Sequence, residues 1–287
     1  MVYPFLKWAG GKGQLLAQFE ALYPPADEVE RYLEPFVGAG AVYFHVRELL
    51  SPRKVFLSDT NAELINVWKC LQDDVDAVLG HLEHHRARHS HDYYYTVRAQ
   101  DADALAPAAR AARLIYLNRT CFNGLYRVNS RGLFNVPVGR YKNPRIVDAE
   151  NLRGVAEALR GATIKVAHFR DTLKVAKRGD FVYFDPPYDP VSETASFTSY
   201  TEGSFGRKDQ EELAQVYAEL SRRGCKVMLS NSDTAFVRKL HRSFDVRTNV
   251  MARRSINSRA DKRGLVREVV VLNYVPAAER KASRRGA

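Results

Sequence analysis

Residues 181–188 read FVYFDPPY, and their reading decides the fold. Phe181 to Phe184 form a short, wholly apolar run, which predicts a buried strand of a parallel sheet. Asp185 then sits at the carboxyl end of that strand, where open α/β sheets place their ligands. Asp185 and Pro186 each precede a proline, so both are held extended. The two prolines offer no N–H to a neighbouring strand. The Asp185 carboxylate and the Pro186 carbonyl are thereby left as fixed acceptors facing a cleft. Two acceptors aimed at one amino group suit an exocyclic NH2, because bonding both hydrogens turns the nitrogen lone pair outward, toward an electrophile. Tyr188 adds a ring on which a planar base can stack. A proline-rich turn with an accidental acid is the competing reading, and the strand-end position argues against it.

Outward from this stretch, short apolar runs alternate with helical segments: RYLEPF from 31, KVFLSD from 54, TIKVAHF from 163, CKVMLSN from 225 and REVVVLNY from 267. Such alternation predicts a mainly parallel sheet with helices on both faces. The stretch RRSINSRADKRG between DVRTNV and the last strand is too short and polar for a crossover helix, so that final pair is expected to be antiparallel. The interval from about 61 to 151 breaks the alternation. It reads as helices, beginning with NAELINVWKCLQDDVDAVLGHL, followed by a polar, Gly-rich, basic segment from Asn118 to Arg145. We expect residues 1–60 and 152–287 to form one domain and 61–151 to be an insertion forming a second.

LEPFVGAGAVYF, from Leu33, predicts a strand ending at Glu34, a turn carrying Gly38 and Gly40, and a helix from about Ala41. Glycines there let a ligand approach the backbone, and the helix start favours negative charge. A dinucleotide site would want a third glycine where Tyr43 stands, which disfavours NAD. Asp59 ends the second strand, where an acid can accept hydrogen bonds from ribose hydroxyls. Ribose without pyrophosphate suggests S-adenosylmethionine. FLKWAGGKGQLL, residues 5–16, contains a Gly-Lys pair but is no phosphate loop: Leu6 and Gly13 stand where that motif requires a glycine and a Ser or Thr.

The chain of 287 residues is 45% hydrophobic, enough to bury a sizeable core. No run approaches the length needed to cross a bilayer, and the opening residues lack a signal-peptide pattern. The expectation is a cytoplasmic protein with no membrane association. Cys70, Cys121 and Cys225 lie far apart, which suits reduced thiols rather than disulfides or zinc. A formal charge of +11 attracts polyanions, with nucleic acid as the first candidate. The run HLEHHRARHSH, from His81, reads as a solvated helix end rather than a metal site.

FLKWAGGK, EPFVGAGAV, LSDTN and DPPY, in this order and with an insertion before DPPY, resemble the Dam-type (D12 class) DNA adenine-N6 methyltransferases. The resemblance runs from about Phe5 to Tyr274 and takes in LNRTCFNGLYRVN, FNVPVGRYKNP and RRSINS…KRG. It implies a Rossmann-like, S-adenosylmethionine-dependent methyltransferase sheet with an inserted helical and β-hairpin target-recognition domain. It implies duplex DNA as partner, no metal, and a monomer. By this resemblance Asp185, Pro186 and Tyr188 are catalytic. Trp8, Lys12, Glu34, Phe36, Gly38, Gly40, Asp59, Phe169 and Asp185 border the donor, with Trp8 covering it and Lys12 reaching its carboxylate. Arg119, Phe122, Asn123, Leu125, Arg127, Pro137 and Tyr141 recognise the target, GATC or a related site. Arg127 suits a bidentate contact to guanine, and Phe122 a wedge into the stack left by a flipped base. The alternatives are contact of these arginines with phosphate alone and packing of Phe122 within the hairpin. Val138 stands where the resemblance leads one to expect a large aromatic. N4-cytosine methylation, also on an exocyclic amine, is disfavoured by Asp185 where that class carries Ser. A catalytically dead DNA-binding regulator is disfavoured by intact Lys12, Asp59 and Asp185.

Overall fold

The computed structural model describes residues 2–190, 205–253 and 265–280. Its strands are β1 (Arg31–Glu34), β2 (Lys54–Asp59), β3 (Thr163–Val166), β4 (Phe181–Phe184), β5 (Lys226–Ser232), β6 (Asp245–Arg253) and β7 (Leu265–Leu272). They form a seven-stranded sheet in the order β3-β2-β1-β4-β5-β7-β6. β1 pairs in parallel with β2 and β4, and β4 with β5. β7 runs antiparallel to β5 and β6, as the short final connection predicts. That connection, and with it most of RRSINS…KRG, lies outside the described residues.

The chain divides into two compact units. One comprises Lys12–Val37, His45–Ser58 and Ala167–Ala287. Its core gathers Leu33, Val182, Phe184, Val227, Leu229 and Val271 from the sheet with Phe169 and one helix. β4 is buried at every position because both of its faces are covered. That helix, Arg207–Arg222, buries Leu213, Val216, Tyr217 and Leu220, the i, i+3, i+4, i+7 stripe of an amphipathic helix.

The other unit comprises Met1–Gly11, Gly38–Phe44 and Asp59–Val166. The long periodic run after Asn61 is two helices, Ala62–Asp73 and Val75–Arg88, broken where Asp74 accepts the Ala77 N–H at 3.0 Å and caps the second. Helices His91–Ala99 and Pro107–Thr120 follow. Trp68 is fully buried, edge-on to Phe5 at 4.9 Å and stacked on Phe44 at 5.7 Å. His85 corrects the expectation of a solvated histidine run: it is buried and stacked on Tyr116 at 4.8 Å, and its Nδ1 shares a 2.8 Å hydrogen bond with the Tyr93 hydroxyl. His85 follows the buried Val78 and Leu82 at seven and three residues' spacing and so falls on the buried face of the helix, while its neighbour His84 is exposed. Among the described residues no group of His, Cys, Asp or Glu is placed to hold a metal ion, and no helix is long and apolar enough to cross a membrane.

The segment expected to form a β-hairpin is antiparallel but irregular. Its first residues, Asn118 to Thr120, belong to the helix Pro107–Thr120, and the remainder holds only two isolated antiparallel bridges, Cys121 to Val138 and Val128 to Phe134. Asn123 and Gly124 adopt positive φ in a tight turn after the helix rather than at a hairpin tip. The chain reverses at Asn129–Leu133, around the Arg131-Gly132 pair, where Gly132 has φ +75°.

Candidate active site

The parallel register sets Phe184 opposite Leu229 and therefore brings Asp185 beside Ser230. The Ser230 hydroxyl donates to Asp185 Oδ1 at 2.9 Å and shares a 2.8 Å hydrogen bond with the Tyr183 hydroxyl. Lys12 Nζ lies 2.7 Å from Asp185 Oδ1, an ion pair whose side chains are 5% and 18% exposed. The same ammonium stands 4.7 Å from the centre of the Tyr188 ring, within cation–π range. Lys12 thus occupies both the carboxylate and the ring face that the sequence assigns to a substrate amine and its base.

Two more acids surround this group. Glu34, buried at the end of β1, accepts the Tyr32 hydroxyl at 2.7 Å. Glu268 on β7 accepts the Tyr188 hydroxyl at 2.5 Å. Burial pushes the Asp185 carboxyl above the usual range, opposed by Lys12 and Ser230. Burial also raises Glu34 and Glu268, the first well above an ordinary carboxyl, with the hydrogen bonds from Tyr32 and Tyr188 acting against it. Raised carboxyl pKa values clustered at a strand end are the electrostatic mark of a functional site.

A buried polar frame holds the loop past Asp185. Gln210 Nε2 donates to the Pro187 carbonyl at 2.8 Å and Asn231 Nδ2 to Gln210 Oε1 at 2.9 Å. The Asp189 N–H donates to Asn231 Oδ1, and the Ser232 hydroxyl to the Asp189 carbonyl. Gln210, Asn231, Asp189 and Ser232 are all buried and paired, the arrangement under which a polar network rigidifies a loop. Phe169 is 1% exposed and belongs to the core, stacked on Phe36 at 5.6 Å; Phe36 is the more exposed ring of the pair.

In the other unit, Asp59 Oδ2 accepts the Gly38 N–H at 3.2 Å and Oδ1 the Asn61 N–H at 3.0 Å. Burial raises its pKa, and hydrogen bonds from Asn61, Gly38 and Thr60 oppose the rise. The two glycines serve packing as well as ligand approach. A Cβ on Gly38 would meet Trp8 at 3.0 Å, and one on Gly40 would meet Trp68 at 2.4 Å. Trp68 Nε1 also donates to the Gly38 carbonyl at 2.9 Å. Trp8 stacks on Tyr126 with ring centres 5.0 Å apart.

Of the expected target-reading residues, Phe122 is 48% and Tyr141 37% exposed, while Asn123, Arg127 and Pro137 are exposed too. Leu125 is half-buried. Arg127 is held by Asn135, with Nε donating to Oδ1 at 2.7 Å and Nη2 to the carbonyl at 3.3 Å. Arg119 departs from the group: it lies half-buried in the last turn of its helix, and burial lowers its pKa while the charge of Asp148 supports it.

Sequence reasoning missed Ser230, Glu268, Trp68, Tyr126 and Asn135. The one signal available was polar residues interrupting apolar strand runs, Ser230 in VMLSN and Glu268 in REVVVL. The others depend on contacts distant in sequence.

A mainly parallel sheet finished by an antiparallel pair, with a lysine-paired carboxylate past the end of its central strand, defines the class of the fold as α/β. The chain belongs to the family of D12 class N6 adenine-specific DNA methyltransferases, whose model matches residues 8–256. The chain is 41% identical over 277 residues to the type II methyltransferase M1.LlaDCHI of Lactococcus lactis subsp. cremoris, covering 94% of this chain and 95% of that one. It is 42% identical over 291 residues to the type II methyltransferase M.MjaIII of Methanocaldococcus jannaschii, covering 95% and 99%. It is 38% identical over 278 residues to the DNA adenine methylase of Serratia marcescens, covering 93% and 97%. DNA is therefore its substrate class, and N6 of adenine the atom that its family methylates.

Proposed function

We propose that this enzyme extrudes an adenine from duplex DNA and methylates its N6 using S-adenosylmethionine, within GATC or a related short site. The observation that carries the reading is the Lys12–Asp185–Tyr188 cluster, in which an ammonium already fills the place of an exocyclic amine. Asp185 and the Pro186 carbonyl accept the two N6 hydrogens, and Tyr188 stacks on the base. Lys12 must give way for the base to enter, and it then serves the donor's carboxylate. With both N6 hydrogens bonded to fixed acceptors the lone pair is directed at the electrophile, and as N6 takes the methyl group one of its two protons is released toward the Asp185 carboxylate, leaving a neutral methylamine. S-adenosylmethionine supplies, when bound, a methyl group on a cationic sulfur.

The donor's ribose suits Asp59. A carboxylate has about four acceptor positions, and the Gly38, Thr60 and Asn61 amides use part of that capacity. Trp8, resting on Tyr126 and Gly38, gives an apolar cover. Glu34, Phe36 and Gly40 shape the same loop, and the burial of Phe169 favours a supporting place behind Phe36. Residues 61–151 read the DNA. There Arg127 contacts guanine, Phe122 wedges into the stack, and Asn123, Leu125, Pro137 and Tyr141 complete the surface. Arg119 steadies this segment beside Asp148. The enzyme acts as a cytoplasmic monomer.

The reading is tested by incubating plasmid with protein and tritiated S-adenosylmethionine, then digesting with methylation-sensitive nucleases. Asp185→Ala should abolish incorporation while its circular-dichroism spectrum still shows the folded protein; its melting temperature should fall, since the buried Lys12 ammonium loses its carboxylate partner. Incorporation at the wild-type rate by that variant would refute the assignment.

A further inference from the structure

β7 carries Glu268 next to the fully buried apolar run Val269 to Leu272. A carboxylate in such a strand is costly to bury unless it is bonded, and the partner it finds is the phenol of Tyr188, 2.5 Å away. The antiparallel register sets Glu268 opposite Ser232 on β5, two residues from the Ser230 that holds Asp185. A continuous line of contacts thus runs Glu268, Tyr188, Lys12, Asp185, Ser230 across three adjacent strands and the N-terminal loop.

A tyrosine ring anchored only at its Cβ can tilt, whereas one bonded at the hydroxyl is fixed at both ends. The ring that Glu268 fixes is the one already serving as a platform for the Lys12 ammonium. We infer that Glu268 is a positioning residue of the base-binding site: its carboxylate holds the Tyr188 phenol and thereby sets the plane on which the extruded adenine stacks. The inference rests on the proposed role of Tyr188 and adds a residue from the antiparallel end of the sheet to the adenine site. A carboxylate is the suitable acceptor, since its bond with a phenol is short and charge-assisted.

The test is a cycle of Glu268→Ala, Tyr188→Phe and the double variant, with Glu268→Gln as a variant that keeps an acceptor oxygen. Two quantities are read on a duplex bearing the mapped site: kcat and KM for methylation, and the fluorescence of 2-aminopurine placed at the target adenine. Glu268→Ala and Tyr188→Phe should each raise KM for DNA on the order of tenfold, the scale of one charge-assisted bond. Both should alter the 2-aminopurine signal in the same direction. The double variant should be no worse than either single one, because both remove the same bond. Glu268→Gln should retain most of the wild-type signal. Additive losses in the double variant, or a Gln variant that folds but binds the base as poorly as Ala, would overturn the inference. If Glu268→Ala fails to fold, Glu268→Gln and Tyr188→Phe still decide it. Wild-type protein that methylates no adenine would refute the proposed function instead, so the two failures are distinguishable.

Discussion

Gly40→Ala isolates what the turn after β1 requires. Gly40 has φ +75°, and a Cβ there would lie 2.4 Å from Trp68 Cη2 and 2.8 Å from Cζ2. The indole has nowhere to go, being fully buried against Phe5 and Phe44 with its Nε1 bonded to the Gly38 carbonyl. Left-handed backbone costs a non-glycine residue about 1–2 kcal/mol, and forcing extra volume into a packed core costs about 1–3 kcal/mol more. The sum is about 2–5 kcal/mol. Gly132 supplies the control, because it shares φ +75° but has nothing within 4 Å of the added carbon. Gly132→Ala should therefore cost only the backbone part, about 1–2 kcal/mol. Urea unfolding of both variants, followed by fluorescence and circular dichroism, gives the two midpoints and slopes. S-adenosylmethionine binding should weaken in Gly40→Ala alone, since the displaced Trp68 would pull on the loop that Asp59 caps. A Gly40→Ala protein no less stable than Gly132→Ala would refute the argument that Trp68, rather than the turn alone, demands glycine.

Lys12 lowers the already raised pKa of Asp185, so Lys12→Ala should raise it further and move the acidic limb of the kcat/KM profile to higher pH; an unmoved limb would show that Asp185 ionisation does not govern transfer. Arg127→Ala should cost about 1–3 kcal/mol of discrimination at a single base pair, with Asn135→Ala giving part of the same loss by freeing the guanidinium. Equal loss on all single-base variants of the site would instead make Arg127 a phosphate contact. His241 is 2% exposed, and burial lowers its pKa to about 4. The folded state therefore binds fewer protons than the unfolded chain below an ordinary histidine pKa of about 6.5, so stability held above that pH should fall as pH drops toward 4. His241→Phe should flatten this part of a urea-midpoint profile, and an unchanged slope between these pH values would contradict the assignment.

The mainly parallel sheet, its antiparallel final pair and the position of Asp185 were legible in the sequence because they follow from local pattern. A four-residue apolar run bounded by charge and proline can bury both faces only in a covered sheet, so FVYF and DPPY specify their own place. The Gly38–Gly40 turn and Asp59 were legible for the same reason, each lying at a strand end. The helix break at Asp74 and the helical assignment of Asn118 to Thr120 were less so, since caps and boundaries depend on single hydrogen bonds. Only the tertiary structure decided what these groups touch. It set Lys12 on Asp185 instead of leaving it to await a ligand, and made Trp68 the reason for Gly40. It also made the expected hairpin irregular, with two isolated bridges about the turn at Asn129–Leu133, and brought Glu268 to Tyr188 across 80 residues of chain. Sequence periodicity reports which face of an element is buried, but the partner across that face is fixed by strand register and close packing, and those exist only once the whole sheet has formed.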